Sequence, residues 1–122
     1  SWRHVMMIEA VNYSLALITV GFGLCGLVMP RFTVNALDLQ TTESTMGLSE
    51  MRASAGGLFV ALGLFCIVSG QPWAFAALGI AYAGAAIGRM TSIVLDNPPM
   101  PKALIWFLFE SLPAAWLIWQ NY

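Results

Sequence analysis

Arg89 and Glu110 each interrupt a long apolar stretch, in a chain with only five basic and six acidic residues. An ionisable residue in such a stretch is costly in a membrane and marks a polar site by default. Arg89 stands seven residues before Asp96, and Glu110 eight residues after Lys102. At 1.5 Å per residue both fall roughly 10–12 Å below the same end of two antiparallel helices. Matching depth and opposite sign predict an ion pair in which the guanidinium fork meets the carboxylate.

The neighbouring residues extend that pair into a cluster. Tyr82, Ala85, Arg89, Ser92 and Asp96 recur at helical spacing and so share one stripe. Pro113 cannot donate to the Phe109 carbonyl, which predicts a kink and a free acceptor beside Glu110. Arg52, with Glu50, opens another apolar stretch and is expected to approach the same end. The candidate polar cluster is therefore Arg52, Arg89, Ser92, Asp96 and Glu110. It could fix helix register, bind a lipid headgroup, small anion or quinone-like ligand, or serve proton-coupled transport. Glu9, with Asn12 and Tyr13, forms a second polar spot.

Catalysis has no such constellation. No nucleophile–base pair, phosphate-cradling loop or metal-ligand spacing is present, and the expectation is a protein that is not an enzyme. One His and two Cys are too few for a metal or haem cage from this chain alone, so no metal and no cofactor is expected. Cys25 and Cys66 fall roughly 13 Å apart in depth on antiparallel helices, beyond disulfide reach.

The elements that position these residues follow from composition. Of 122 residues, 59% are hydrophobic and 9% charged, with a mean hydropathy of +0.77. A water-facing domain carries about 25% charged residues; this chain reads as an integral membrane protein. A helical span takes about 20 residues, which leaves room for four. They are expected at residues 6–29, 51–70, 73–95 and 103–122, with a polar loop over 30–50 and Ser49 as the second span's N-cap. Phe32, Val34, Leu37 and Leu39 suggest that part of this loop lies on the membrane surface. Alternating ten-residue strands, as a barrel needs, are absent. The predicted fold is an all-α, antiparallel four-transmembrane-helix bundle forming one domain.

Aromatic residues agree with that count. Trp2, Trp73, Trp116, Trp119 and Tyr122 fall near one interface, as an aromatic belt requires. Arg31, Arg52 and Lys102 fall on the other side, which the positive-inside rule places in the cytoplasm together with the long loop. The first apolar run exceeds signal-peptide length and is expected to be retained as a helix. No basic run is available for nucleic acid.

Small residues supply the packing surfaces that membrane helices need. Span one carries Gly21, Gly23 and Gly26, and span two Ala53, Gly57 and Ala61. Span three carries Ala81, Gly84, Ala85 and Gly88. Gly57, Gly84 and Gly88 are the expected packing glycines, within the bundle or against another protein's helix.

Two resemblances add to these readings. Glu9 early in the first helix and the stretch Gly79-Ile80-Ala81-Tyr82-Ala83 are similar to small multidrug transporters, from which the long loop and Arg89 depart. More of the chain is covered by the second. The run Arg52-Ala53-Ser54-Ala55-Gly56-Gly57-Leu58, the run Gly88-Arg89-Met90-Thr91-Ser92 followed by Asp96 and Pro98, and Glu110 in the last span together resemble a bacterial family of small four-helix membrane proteins. It is known as domain of unknown function 4345 and is broadly similar to DoxX-like proteins. The resemblance implies a bacterial inner-membrane bundle with Arg52, Arg89 and Glu110 as signature polar positions, and it implies no activity.

Two functions remain in view. One is an accessory subunit, in contact with membrane lipids and packed against other integral membrane subunits of a larger respiratory or photosynthetic complex. The other is a small oligomeric transporter or a lipid- or quinone-binding bundle using Arg89 and Glu110, or Glu9.

Overall fold

A computed structural model describes all 122 residues. It is helical throughout, without strands, and has five continuous helices: α1 (Trp2–Val28), α2 (Pro30–Ala36), α3 (Met46–Ser69), α4 (Pro72–Asp96) and α5 (Lys102–Asn121). All but α2 are long and apolar enough to cross a membrane. Large apolar side chains such as Leu17, Val68, Ile87, Leu112 and Trp119 point outward, as lipid-facing residues do. The chain divides into two compact units, Ser1–Ser69 and Gly70–Tyr122.

Helix ends follow local chemistry more closely than hydropathy. α1 starts at Trp2, four residues before its expected start, because the Ser1 hydroxyl accepts a bond from the His4 backbone N–H at 3.4 Å and caps the helix. α3 starts at Met46, not Met51, with Thr45 at the N-cap. The Ser44 hydroxyl accepts from the Met46 N–H at 3.2 Å, so Ser49 lies inside the helix and does not cap it. At the far end of α4, Asn97 takes the left-handed conformation (φ 50°), a common helix stop, and Pro98 and Pro99 follow.

In the N-terminal unit, α1 buries Asn12, Ala16, Thr19, Gly23 and Gly26, alternating steps of four and three along one face. That face meets α3 backbone to backbone. A Cβ on Gly26 would lie 2.5 Å from the Ala55 carbonyl oxygen, and one on Gly56 2.6 Å from the Leu27 nitrogen. Farther along, Gly23 faces Val60, and Gly63 faces Ala16 and Val20. Numbers fall on α1 as they rise on α3, so the two helices run antiparallel.

α3 is not α-helical throughout. Ala53–Gly57 form a π-helical segment, which inserts an extra residue into the turn. The buried residues record it: Met51, Gly56, Gly63 and Cys66 are separated by five, then seven, then three. Five residues along an α-helix would turn the side chain away from its face; the wider turn brings Met51 back.

In the C-terminal unit, α4 and α5 also run antiparallel. Gly79 packs on Leu117 and Ile118, and Arg89 bonds Glu110. The seam on α4 follows Phe75, Gly79, Ala86 and Arg89, and that on α5 follows Ala103, Glu110, Ala114 and Leu117. Pro113 sits inside α5, which continues to Asn121. Trp73, Trp119 and Tyr122 are exposed at the same end of this hairpin.

Candidate functional site

The predicted pair forms. Arg89 Nε donates to Glu110 Oε1 at 3.1 Å and Nη2 donates to Oε2 at 2.9 Å, so two parallel bonds lock the guanidinium plane to the carboxylate plane. Glu110 is the more enclosed partner, its side chain 14% exposed against 35% for Arg89. The two residues project from the half of the α4–α5 seam nearer the turn that joins the helices. A charge placed there has its partner supplied by the same packing that hides it.

The wider cluster is smaller than the sequence suggests. Ser92 is half-buried and Asp96 exposed, and neither bonds to the Arg89–Glu110 pair. The buried stripe of α4 passes through Ala86, while Ala85 is exposed. The seam is thus rotated away from the line through Ala85 and Ser92, although Arg89 lies on both lines. Arg52 serves a different purpose from the one expected: its Nη1 donates to the Leu27 carbonyl at 2.6 Å. Pro30 has no N–H and ends α1 nearby, leaving carbonyls in the last turn without helical donors. Arg52 satisfies one of them, as basic side chains do at helix C-termini. Its neighbour Glu50 accepts from Ser54 Oγ at 2.5 Å.

At the other polar spot, Glu9 is exposed. Asn12 and Thr19 are buried on the α1 face toward α3, and the Thr19 hydroxyl donates to the Leu15 carbonyl at 2.8 Å. Cys25 and Cys66 are free thiols.

Within each hairpin the close contacts fall on glycines other than Gly57, Gly84 and Gly88. A Cβ on Gly84 or Gly88 would meet nothing within 4 Å, and one on Gly57 would meet only its own helix, the Arg52 carbonyl at 3.6 Å. The close approaches belong instead to Gly23, Gly26, Gly56, Gly63 and Gly79. At about 100° per residue, Gly84 and Gly88 lie on the face of α4 opposite Phe75, Gly79, Ala86 and Arg89. The periodicity that puts Arg89 inward therefore puts these two glycines outward.

A helical chain with four candidate transmembrane helices and one forked ion pair within a helical hairpin is the pattern of a small multi-pass membrane protein. The chain belongs to the family described as domain of unknown function (DUF4345), whose sequence profile it matches over residues 10–120. That match includes Arg52, Arg89, Ser92, Asp96 and Glu110. Comparisons with curated proteins and with solved structures give no match.

Proposed function

We propose that this chain is a non-catalytic subunit of a bacterial inner membrane, its four long helices forming an antiparallel bundle that packs against a larger membrane complex. The observation that carries this reading is the face of α4 turned away from α5. Ala77, Ala81, Gly84, Ala85 and Gly88 are all exposed there, and the two glycines have open space beside them. Membrane helices associate through small residues that let backbones approach, and α5 leaves those on this face uncovered. By the positive-inside rule, Arg31, Arg52 and Lys102 favour a cytoplasmic long loop. Native mass spectrometry of the protein extracted gently from its own membrane tests the reading. A stoichiometric larger assembly supports it; a lone chain or a small homo-oligomer refutes it.

A second reading has its own support at Arg89. Nε and Nη2 are committed to Glu110, while Nη1 bonds nothing. In hydrocarbon an unpaired N–H costs several kcal/mol, on the order of a lost hydrogen bond in an apolar medium. A carbonyl or headgroup oxygen on a lipid or quinone would satisfy it, making the pair the centre of a small ligand-binding or transport bundle. Recovery of a self-associated species whose stability responds to added quinone would favour this alternative.

A further inference from the structure

The segment linking α1 to α3 builds a second, separate polar site. α2 ends in a reversal: the Asp38 N–H donates to the Asn35 carbonyl at 3.1 Å, and the Leu39 N–H donates to the Val34 carbonyl at 2.9 Å. Asp38 takes the left-handed conformation at φ 59°, where glycine is the usual residue. The chain therefore folds back, and Leu39, Gln40 and Thr41 return beside Val34 and Asn35. Together with Arg31, and with Leu48 of α3, they line an open depression of about 520 Å³. Gly47 packs closely on Thr41, where a Cβ would lie 2.7 Å from Cγ2.

The lining has two kinds of surface. Val34, Leu39 and Leu48 are apolar. Arg31, Asn35, Gln40 and Thr41 are polar, and their side chains have no hydrogen-bond or ion-pair partner in the chain. Between them they offer a guanidinium fork, two amide groups and a hydroxyl, a set dominated by donors. Such a set fits an oxyanion. Its position narrows the choice. Arg31 follows closely on the end of the 27-residue helix α1, at the level where an apolar helix leaves the hydrocarbon. Phe32, Leu39 and Met46 are exposed in the same segment and suit contact with acyl chains.

We infer that this depression binds the phosphodiester of a membrane phospholipid. Arg31 takes two phosphate oxygens in its fork, and Asn35, Gln40 and Thr41 donate to the oxygens that remain. Asp38 and Glu43 stand in the same segment, so the singly charged diester suits it better than a doubly charged monoester. The inference rests on the membrane reading of the four long helices. It is independent of the accessory-subunit reading and of the Arg89–Glu110 pair.

The test uses the full chain in a neutral detergent, titrated with dihexanoyl phosphatidylglycerol and separately with glycerol 3-phosphate, with phosphorus NMR as the readout. Saturable binding of the lipid, weakened about tenfold or more by Arg31→Gln, is the expected result for loss of a charge-assisted bond. Equal binding of glycerol 3-phosphate, also lost in Arg31→Gln, would assign the site to soluble phosphates and overturn the lipid assignment. Absence of saturable binding to either probe would overturn the site itself, as would wild-type affinity in a folded Arg31→Gln. Should Arg31→Gln fail to fold, Gly47→Ala supplies the same test with all charges kept. Its methyl displaces Thr41, and unchanged affinity for both probes would overturn the site.

Discussion

The two helical hairpins hold themselves together by opposite means. In the N-terminal unit, α1 and α3 meet where side chains are missing, and the contact is backbone on backbone at Gly26 and Gly56. In the C-terminal unit, α4 and α5 meet through Phe75 and Leu117, through small residues such as Gly79, Ala86 and Ala114, and through a half-buried carboxylate gripped by an arginine. In a bilayer, apolar burial contributes little to helix association. The first hairpin relies on dispersion between close backbones, and the second adds a directional polar bond to side-chain packing. The first should therefore fail sharply when a single methyl is added. The second should fail when its charges are unbalanced and recover when they are balanced again.

The harshest way to break the comparison is Gly26→Ala or Gly56→Ala. Each places a Cβ under 3 Å from backbone atoms of the facing helix, which cannot swing aside as a side chain can. A loss of about 3 kcal/mol is expected, measured by reversible unfolding in mixed detergent micelles. A loss below about 0.5 kcal/mol would show that the backbones are not in contact.

Glu110→Gln comes next. It leaves the Arg89 guanidinium without its counter-charge, and a loss of about 2 kcal/mol is expected, since Arg89 is partly exposed and the full buried-pair value does not apply. The exchange Arg89→Glu with Glu110→Arg should recover part of it in a double-mutant cycle. Zero coupling energy between the two positions would remove the ion pair as the source of the second hairpin's stability.

Arg52→Gln tests a finer point within the first hairpin. Losing the bond to the Leu27 carbonyl should cost about 1 kcal/mol and speed amide exchange in the last turn of α1. Unaltered exchange would mean that the carbonyl is served in another way.

Smallest of all is Gly84→Ala. With open space around it, this change should leave the C-terminal hairpin intact and stabilise α4 by about 0.5–1 kcal/mol through helix propensity. Gly84→Leu should keep the fold while abolishing co-purification of a partner. A substantial destabilisation by Gly84→Ala would show that the face is already covered within the chain.

How much of this was legible in the sequence follows from how local each feature is. The four long helices were legible because about 20 apolar residues in succession carry their own signal. The Arg89–Glu110 pair was legible because depth can be counted from two helix ends flanking one proline-rich turn. The helix starts at Trp2 and Met46 were not, since a hydropathy boundary does not see the Ser1 and Ser44 hydroxyls that cap them. Four-residue spacing from Ala53 points to Gly57 because it assumes an unbroken α-helix, and the π-helical turn brings Gly56 to the facing helix. Gly84 and Gly88 show a different limit. Spacing identifies a small-residue face without saying which way it points; the inward position of Arg89 contained that information.

The π-helical turn in α3 has a consequence for how such a chain can change length. A deletion inside a transmembrane helix ordinarily rotates everything beyond it by about 100° and turns its packing face outward. Here one residue is already surplus. Removing it from within Ala53–Gly57 restores plain α-helix while leaving Met51 on one side and Gly63 and Cys66 on the other facing α1 as before. This stretch is thus the place in α3 where a relative one residue shorter could exist with the same hairpin, and where a single insertion is the simplest origin of the present one.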